Sequence, residues 1–200
     1  LGFTVHRAAL TKRLVPAIGI LVDGRIEGVV PCGIQRHATT VAHMILGVHH
    51  VAISTVDIDK AVDWYVEAFG LEVVSRGGWP SGNPEIDGIV GLRDSAAKTA
   101  MLKGRNCYVE FFQYTNPVGK VAEGDRPVSD KGYTHFGVVV DDIDADYQRL
   151  LKMGMRFHAP PTAKGGMGGR LRACYGRDPE GNVIELIEVT SPDWPAQLLV

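Results

Sequence analysis

Arg177-Asp178-Pro179-Glu180-Gly181-Asn182-Val183-Ile184-Glu185-Leu186-Ile187-Glu188 is the stretch from which the rest of the chain can be read. Pro179 presets a turn φ, and Gly181 and Asn182 tolerate positive φ, so the first half is a tight turn. The second half alternates like a strand. Val183, Glu185, Ile187 and Val189 share one face, and Ile184, Leu186 and Glu188 share the other. A carboxylate in the middle of an apolar face is the anomaly. Buried alone, Glu185 would cost several kcal/mol or hold a proton. It needs a partner, and a metal ion is one that strand geometry can supply.

Two stretches upstream resemble each other at a fixed offset. His50-Val51-Ala52-Ile53-Ser54-Thr55-Val56-Asp57-Ile58-Asp59 is followed 85 residues later by His135-Phe136-Gly137-Val138-Val139-Val140-Asp141-Asp142-Ile143-Asp144 (His50 to His135, Asp57 to Asp142). Each starts with a His near the head of a strand and ends in Asp-Ile-Asp before a helix. The helices close at Gly70 and Gly154. Each copy also ends in an acidic strand, with Glu110 in 108–112 and Glu185 in 183–187. The chain therefore holds two copies of a strand–helix–strands unit, each with one His on its first strand and one Glu on its last.

These residues resemble the vicinal oxygen chelate superfamily, which includes glyoxalase I, methylmalonyl-CoA epimerase, extradiol dioxygenases and bleomycin-resistance proteins. The resemblance rests on the run 177–182 before the Glu strand, and on each strand-borne His with Ile53 or Val138 three residues on, then Asp-Ile-Asp. It covers roughly residues 45 to 190. It implies an α+β fold of paired βαβββ modules forming a curved, mostly antiparallel sheet around a cleft, with helices over 58–69 and 143–153 on the outer face. The expected organisation is an extension over 1–43, a first module over 44–118, a linker over 119–131, a second module over 132–190 and a tail over 191–200. The first 43 residues fall outside both copies and precede the first methionine, Met44. They read as a dispensable arm, with a hairpin through Asp23-Gly24 joining strands near 18–22 and 28–30.

Composition narrows the function classes. The net charge of −2 gives no basic excess for nucleic acid. No apolar run reaches membrane-spanning length. Cys32, Cys107 and Cys174 are an odd set without CxxC spacing, so neither a disulfide framework nor a zinc knuckle is indicated, and a cytoplasmic location is expected. The partners expected are a small-molecule substrate and a second copy of the chain. A half-open barrel leaves strand edges that want a partner, and related proteins often assemble their modules across subunits.

Beyond the repeat, 76–84 is rich in Gly and Pro and reads as a substrate-facing loop carrying Arg76 and Trp79. Four glycines lie between Lys164 and Arg170, a mobile lid whose flanking cations could hold a carboxylate or phosphate. It lacks the Lys-Ser/Thr of a phosphate loop. Tyr175, at the end of the third strand of module two, completes the set of expected substrate-binding residues.

His50, Glu110, His135 and Glu185 together make an N2O2 ligand set for one divalent metal: zinc, nickel, cobalt, manganese or iron. Such an ion keeps positions open for two neighbouring substrate oxygens and stabilises an enediolate. Glu185 or Glu110 is the candidate base for the proton α to the carbonyl. The resemblance implies this chemistry, known for glyoxalase I, on a thioester or hemithioacetal-like substrate. The strand 97–101 carries no acid, which counts against a standard methylmalonyl-CoA epimerase. Two alternatives differ in class. An iron(II) extradiol dioxygenase would need only His50, His135 and Glu185. A resistance protein would bind a small molecule without chemistry.

Overall fold

The computed structural model describes residues 21–22, 25–26, 45–121 and 125–198. The chain divides into two units, 1–46 and 47–200. In the first, β1 (Leu21–Val22) pairs antiparallel with β2 (Arg25–Ile26). The strand expected over 28–30 and Cys32 lie outside the described residues.

The second unit holds two βαβββ modules. Module one runs β3 (His50–Ser54), α1 (Ile58–Phe69), β4 (Glu72–Trp79), α2 (Pro84–Val90), β5 (Ala96–Lys103) and β6 (Tyr108–Asn116). Module two runs β7 (Phe136–Val139), α3 (Ile143–Lys152), β8 (Arg156–Phe157), a 3₁₀ turn at Met167–Gly169, β9 (Leu171–Arg177) and β10 (Val183–Val189). The curved sheet takes the form of two four-stranded sheets with matching strand orders, β3-β6-β5-β4 and β7-β10-β9-β8. In each, the first strand lies parallel to the last and the other neighbours are antiparallel.

The two long helices start alike because the repeat supplies the same cap. The Asp57 carboxylate accepts from Lys60 N, and that of Asp142 from Ala145 N. Gly70, at φ 63°, closes α1 in the left-handed region. Ile58, Val62, Tyr65 and Ala68 line the buried stripe of α1, and Ile143 and Leu150 that of α3. Both stripes enter one core with Phe111 and Leu102 of module one and Ile184 and Leu186 of module two. The helices therefore cover one face of each sheet and leave the other face open.

The turn that opens the chain's reading also clasps the modules together. Asp178 is 2% exposed. Its carboxylate accepts from Tyr65 Oη at 2.8 Å, from the backbone N–H of Glu180 and Asn182, and from Asn182 Nδ2. Glu180 accepts from Thr55 Oγ1 and Val56 N. Trp64 Nε1 donates to Met153 O, and Arg149 to Ala68 O, so α1 and α3 are tied at their other ends. Burial and the Asp178 charge push the Tyr65 phenol well above its ordinary pKa, so it remains a donor to Asp178.

Two sequence expectations are revised. The segment 76–79 belongs to β4 rather than to a loop, and a short helix, α2, follows it. Gly78 sits inside β4 because a Cβ there would come 2.3 Å from Ala97 O, and its φ is +150°.

Candidate metal centre

The site lies on the sheet faces that the helices leave open. In module one, register places Ala52 beside Glu110 and His50 beside Tyr108. In module two it places Gly137 beside Glu185, and Glu185 beside Tyr175. His50 opens β3 and His135 immediately precedes β7, and each lies beside the Glu of the neighbouring strand. His50 Nε2 lies 3.2 Å from Glu110 Oε2, and His135 Nε2 lies 3.3 Å from Glu185 Oε2. The side chains are 38% and 22% exposed in the first pair and 26% and 20% in the second. They are neither core histidines nor freely solvated carboxylates.

The two pairs are built alike to a depth that the sequence reading did not reach. The residue before each His holds its other ring nitrogen. His49 Nδ1 is 2.9 Å from His50 Nδ1, and Thr134 Oγ1 is 2.9 Å from His135 Nδ1. This leaves Nε2 of each ring facing its glutamate, the support that orients a metal-ligating imidazole. The preceding position was the signal available in the sequence. His49 immediately precedes β3 and stacks on Tyr108, with centroids 4.9 Å apart. Beside each glutamate the repeat places a small residue, Ala52 or Gly137. A Cβ on Gly137 would meet Ile187 Cδ1 at 2.9 Å, so that side-chain tip would have to shift, and would touch Glu185 Oε2 at an ordinary contact distance of 3.5 Å.

Two ligands at right angles on one cation, each about 2.1 Å from it, sit about 3 Å apart. The separation within each pair fits that geometry, and imidazole with carboxylate suits a borderline divalent ion. Among the described residues, however, no three His, Cys, Asp or Glu side chains gather at one point. The four expected ligands come as two halves, one per module. A cavity of about 830 Å³, the size of a small-molecule site, is bordered by both His50 and His135, with Arg126, Tyr133 and Arg177 around it. Glu110 and Glu185 lie outside its lining.

The remaining site residues separate. Tyr175 Oη lies 3.2 Å from His135 Nε2. Burial and the Glu185 charge raise the Tyr175 pKa, so the phenol keeps its proton at neutral pH. Trp79 lies on the open face of module one, near Phe112 and Tyr114. Arg76 does not: it registers with Ala100 and Phe111 on the helix-covered face and pairs with Asp59 at 2.7 Å. Arg76 thus lies on the face opposite Trp79, because an odd number of residues along a strand changes sides. Lys164 and Arg170 are both exposed, flanking the 3₁₀ turn.

The fold and the paired imidazole–carboxylate contacts define a two-module scaffold with one His–Glu pair in each module. The chain belongs to the Glyoxalase/Bleomycin resistance protein/Dioxygenase superfamily, whose family model matches residues 47–186. It is 29% identical over 153 residues to a 2-epi-5-epi-valiolone epimerase from an Actinomyces species, covering 72% of this chain and 80% of the relative. Solved structures with the same fold include a glyoxalase family protein from Bacillus cereus, with TM-score 0.66 and 24% identity over 76% of this chain and 99% of that one. Another is a glyoxylase/bleomycin resistance protein/dioxygenase domain from Frankia, with TM-score 0.52 and 18% identity over 74% and 96% of the two chains. No helix among the described residues is long and apolar enough to cross a membrane.

Proposed function

We propose that this protein is a divalent-metal-dependent enzyme that moves a proton on the carbon next to a carbonyl, and that two copies of the chain complete each site. The observation that carries the reading is the like construction of the two His–Glu pairs, at 3.2 and 3.3 Å with the same support behind each imidazole. The relationship to an epimerase supports the reaction class. It also turns the preferred substrate from a hemithioacetal or thioester towards a small polyhydroxylated ketone.

The second copy follows from the clasp. Bringing both pairs to one ion within a chain would require the modules to move against each other. Their shared core and the buried Asp178–Tyr65 bond oppose that motion. Pairing module one of one protomer with module two of its partner needs no such break, and β3 and β7 are both terminal strands with an edge to offer.

A cation held by His50, Glu110, His135 and Glu185 would supply Lewis acidity to neighbouring substrate oxygens. The residues do the proton work. The C–H bond breaks with its electron pair moving towards the carbonyl, and Glu185 takes the proton. A new C–H bond forms when Glu110, from the other half, released from the cation and protonated at the start of the cycle, gives its proton to the opposite face. Exchange with water then resets both carboxyls. The centre is inverted and nothing is oxidised or reduced. Tyr175, protonated beside His135, offers a hydrogen bond to the developing oxyanion.

The test is deuterium exchange at the α carbon of a polyhydroxylated cyclohexanone or a hemithioacetal in heavy water. Wild type should exchange, and Glu185→Gln and Glu110→Gln should each lower the rate by about a hundredfold or more while the protein stays folded. Full activity in Glu110→Gln, together with oxygen uptake on a catechol, would replace this reading with the dioxygenase one.

A further inference from the structure

Module one carries an aromatic wall beside its His–Glu pair, and a part-buried polar chain through Ser95 holds the wall's largest member. Glu110, Phe112 and Tyr114 alternate along β6 and so face the same way, opposite the buried Val109 and Phe111. Register places Trp79 next to Ala97, and Ala97 next to Tyr114. The Trp79 ring meets Phe112 edge-on at 6.1 Å and Tyr114 at 6.0 Å, while Phe112 and Tyr114 stack at 5.8 Å. All three rings are half-buried. The wall is continuous with the carboxylate, since Glu110 and Phe112 are successive residues on one face of β6.

Trp79 is fixed by a directed chain of hydrogen bonds. Its Nε1–H donates to Ser95 Oγ at 3.0 Å, and the Ser95 hydroxyl donates to Asp87 Oδ1 at 2.6 Å. Asp87 also accepts from the backbone N–H of Ser95 at 2.8 Å and of Asp94 at 2.7 Å. These bonds, that of the Ser95 hydroxyl first, hold the Asp87 carboxyl below its ordinary pKa, so the anchor is anionic at neutral pH. Ser95 is fully buried. Asp87 lies on α2, the helix inserted between β4 and β5, and module two has no α-helix between β8 and β9. A surface tryptophan needs no buried serine and ionised aspartate to orient it. An indole that must present one face to a ligand does.

We propose that Trp79 is the specificity-determining surface of the site, stacking on the C–H face of a ring-shaped polyhydroxylated ketone, with Ser95 and Asp87 as its positioning residues. A flat π face accepts the C–H side of such a ring while the hydroxyls point away to polar groups. This rests on the proton-transfer reading above and names its substrate class.

The experiment uses the full-length, metal-loaded protein and myo-inosose as the probe. Tryptophan fluorescence and α-deuterium exchange are followed in parallel for wild type, Trp79→Phe, Trp79→Ala and Ser95→Ala. In wild type the probe should shift the emission, and Trp79→Ala should abolish that shift. KM for exchange should rise about tenfold or more in Trp79→Ala and severalfold in Ser95→Ala, with kcat changed much less. Trp79→Phe, which keeps a π face, should stay within a few fold of wild-type KM. Exchange in wild type with unchanged KM in folded Trp79→Ala would overturn the wall and leave the reaction standing. An emission shift lost in Trp79→Ala, without exchange in any variant, would keep the wall and overturn the reaction. Neither signal in wild type would overturn both.

Discussion

The two modules share one plan and differ in what hangs between their strands. Strand order, the capped helix, the His at the head of the first strand, the Glu on the last and the group behind the imidazole all match. The connections do not. Module one has an eight-residue β4 and the α2 insertion that anchors Trp79. Module two has a two-residue β8 and a glycine-rich turn, and its last hairpin carries the Asp178 clasp. The repeated parts carry the two His–Glu pairs, and the unrepeated parts carry the Trp79 anchor and the Asp178 clasp.

Equivalence of the halves is the first thing to break. His50→Ala and His135→Ala should each strip the tightly held metal and lower turnover by at least about a hundredfold. Elemental analysis of purified protein beside a rate assay measures both. A large loss in one variant and none in the other would mean that one module alone carries the site.

The difference between the last hairpins predicts a smaller, structural effect. Asp178→Asn leaves a buried cluster of donors short of an acceptor and should cost about 1–3 kcal/mol in urea unfolding. In the β5–β6 turn of module one, where Gly104 N meets Cys107 O at the surface, Arg105→Ala should stay within about 0.5 kcal/mol. Equal costs would show that the clasp is not what distinguishes the hairpins.

The smallest effect concerns pH. Arg172, 6% exposed, is held by Asp144 at 2.7 Å and Glu188 at 3.2 Å in module two. The Arg172 hydrogen bond keeps the Asp144 carboxyl below its ordinary pKa. A carboxylate with a lowered folded-state pKa stabilises the fold above its unfolded value, about 4, and loses that contribution as pH falls through the folded one. Asp144→Asn should therefore be less stable than wild type at pH 7, and the gap should close below about pH 4. Thermal unfolding across that range measures it. A gap independent of pH would assign the loss to packing instead.

Much of this was legible because the ligands are doubled. A single strand glutamate such as Glu110 says little, but the repeat pairs His50 with His135 and Glu110 with Glu185. The same repeat announced both helix caps. The clasp was hidden because its partners are far apart in sequence: Asp178 meets Tyr65 across 113 residues and Glu180 meets Thr55 across 125. The helix α2 was hidden for another reason. Its seven residues bury no side chain and include Gly88, and Ile86, Ile89 and Val90, though at helical spacing, span too short a run to read as a period. Gly77 and Gly78 looked like loop punctuation, whereas Gly78 is demanded by a close strand neighbour. The side that Arg76 faces depends on register, which the Gly-rich composition concealed.

The central claim is that the two His–Glu pairs are halves of one centre joined between copies. Its most direct test mixes two inactive proteins. One carries His50→Ala with Glu110→Gln, the other His135→Ala with Glu185→Gln, and they are unfolded and refolded together. In a mixed dimer, the intact module two of the first faces the intact module one of the second. Random pairing should then restore about a quarter of wild-type sites, seen as bound metal and exchange activity. If each chain built its site from its own two modules, every site would be broken, and a mixture with neither metal nor activity would contradict the account.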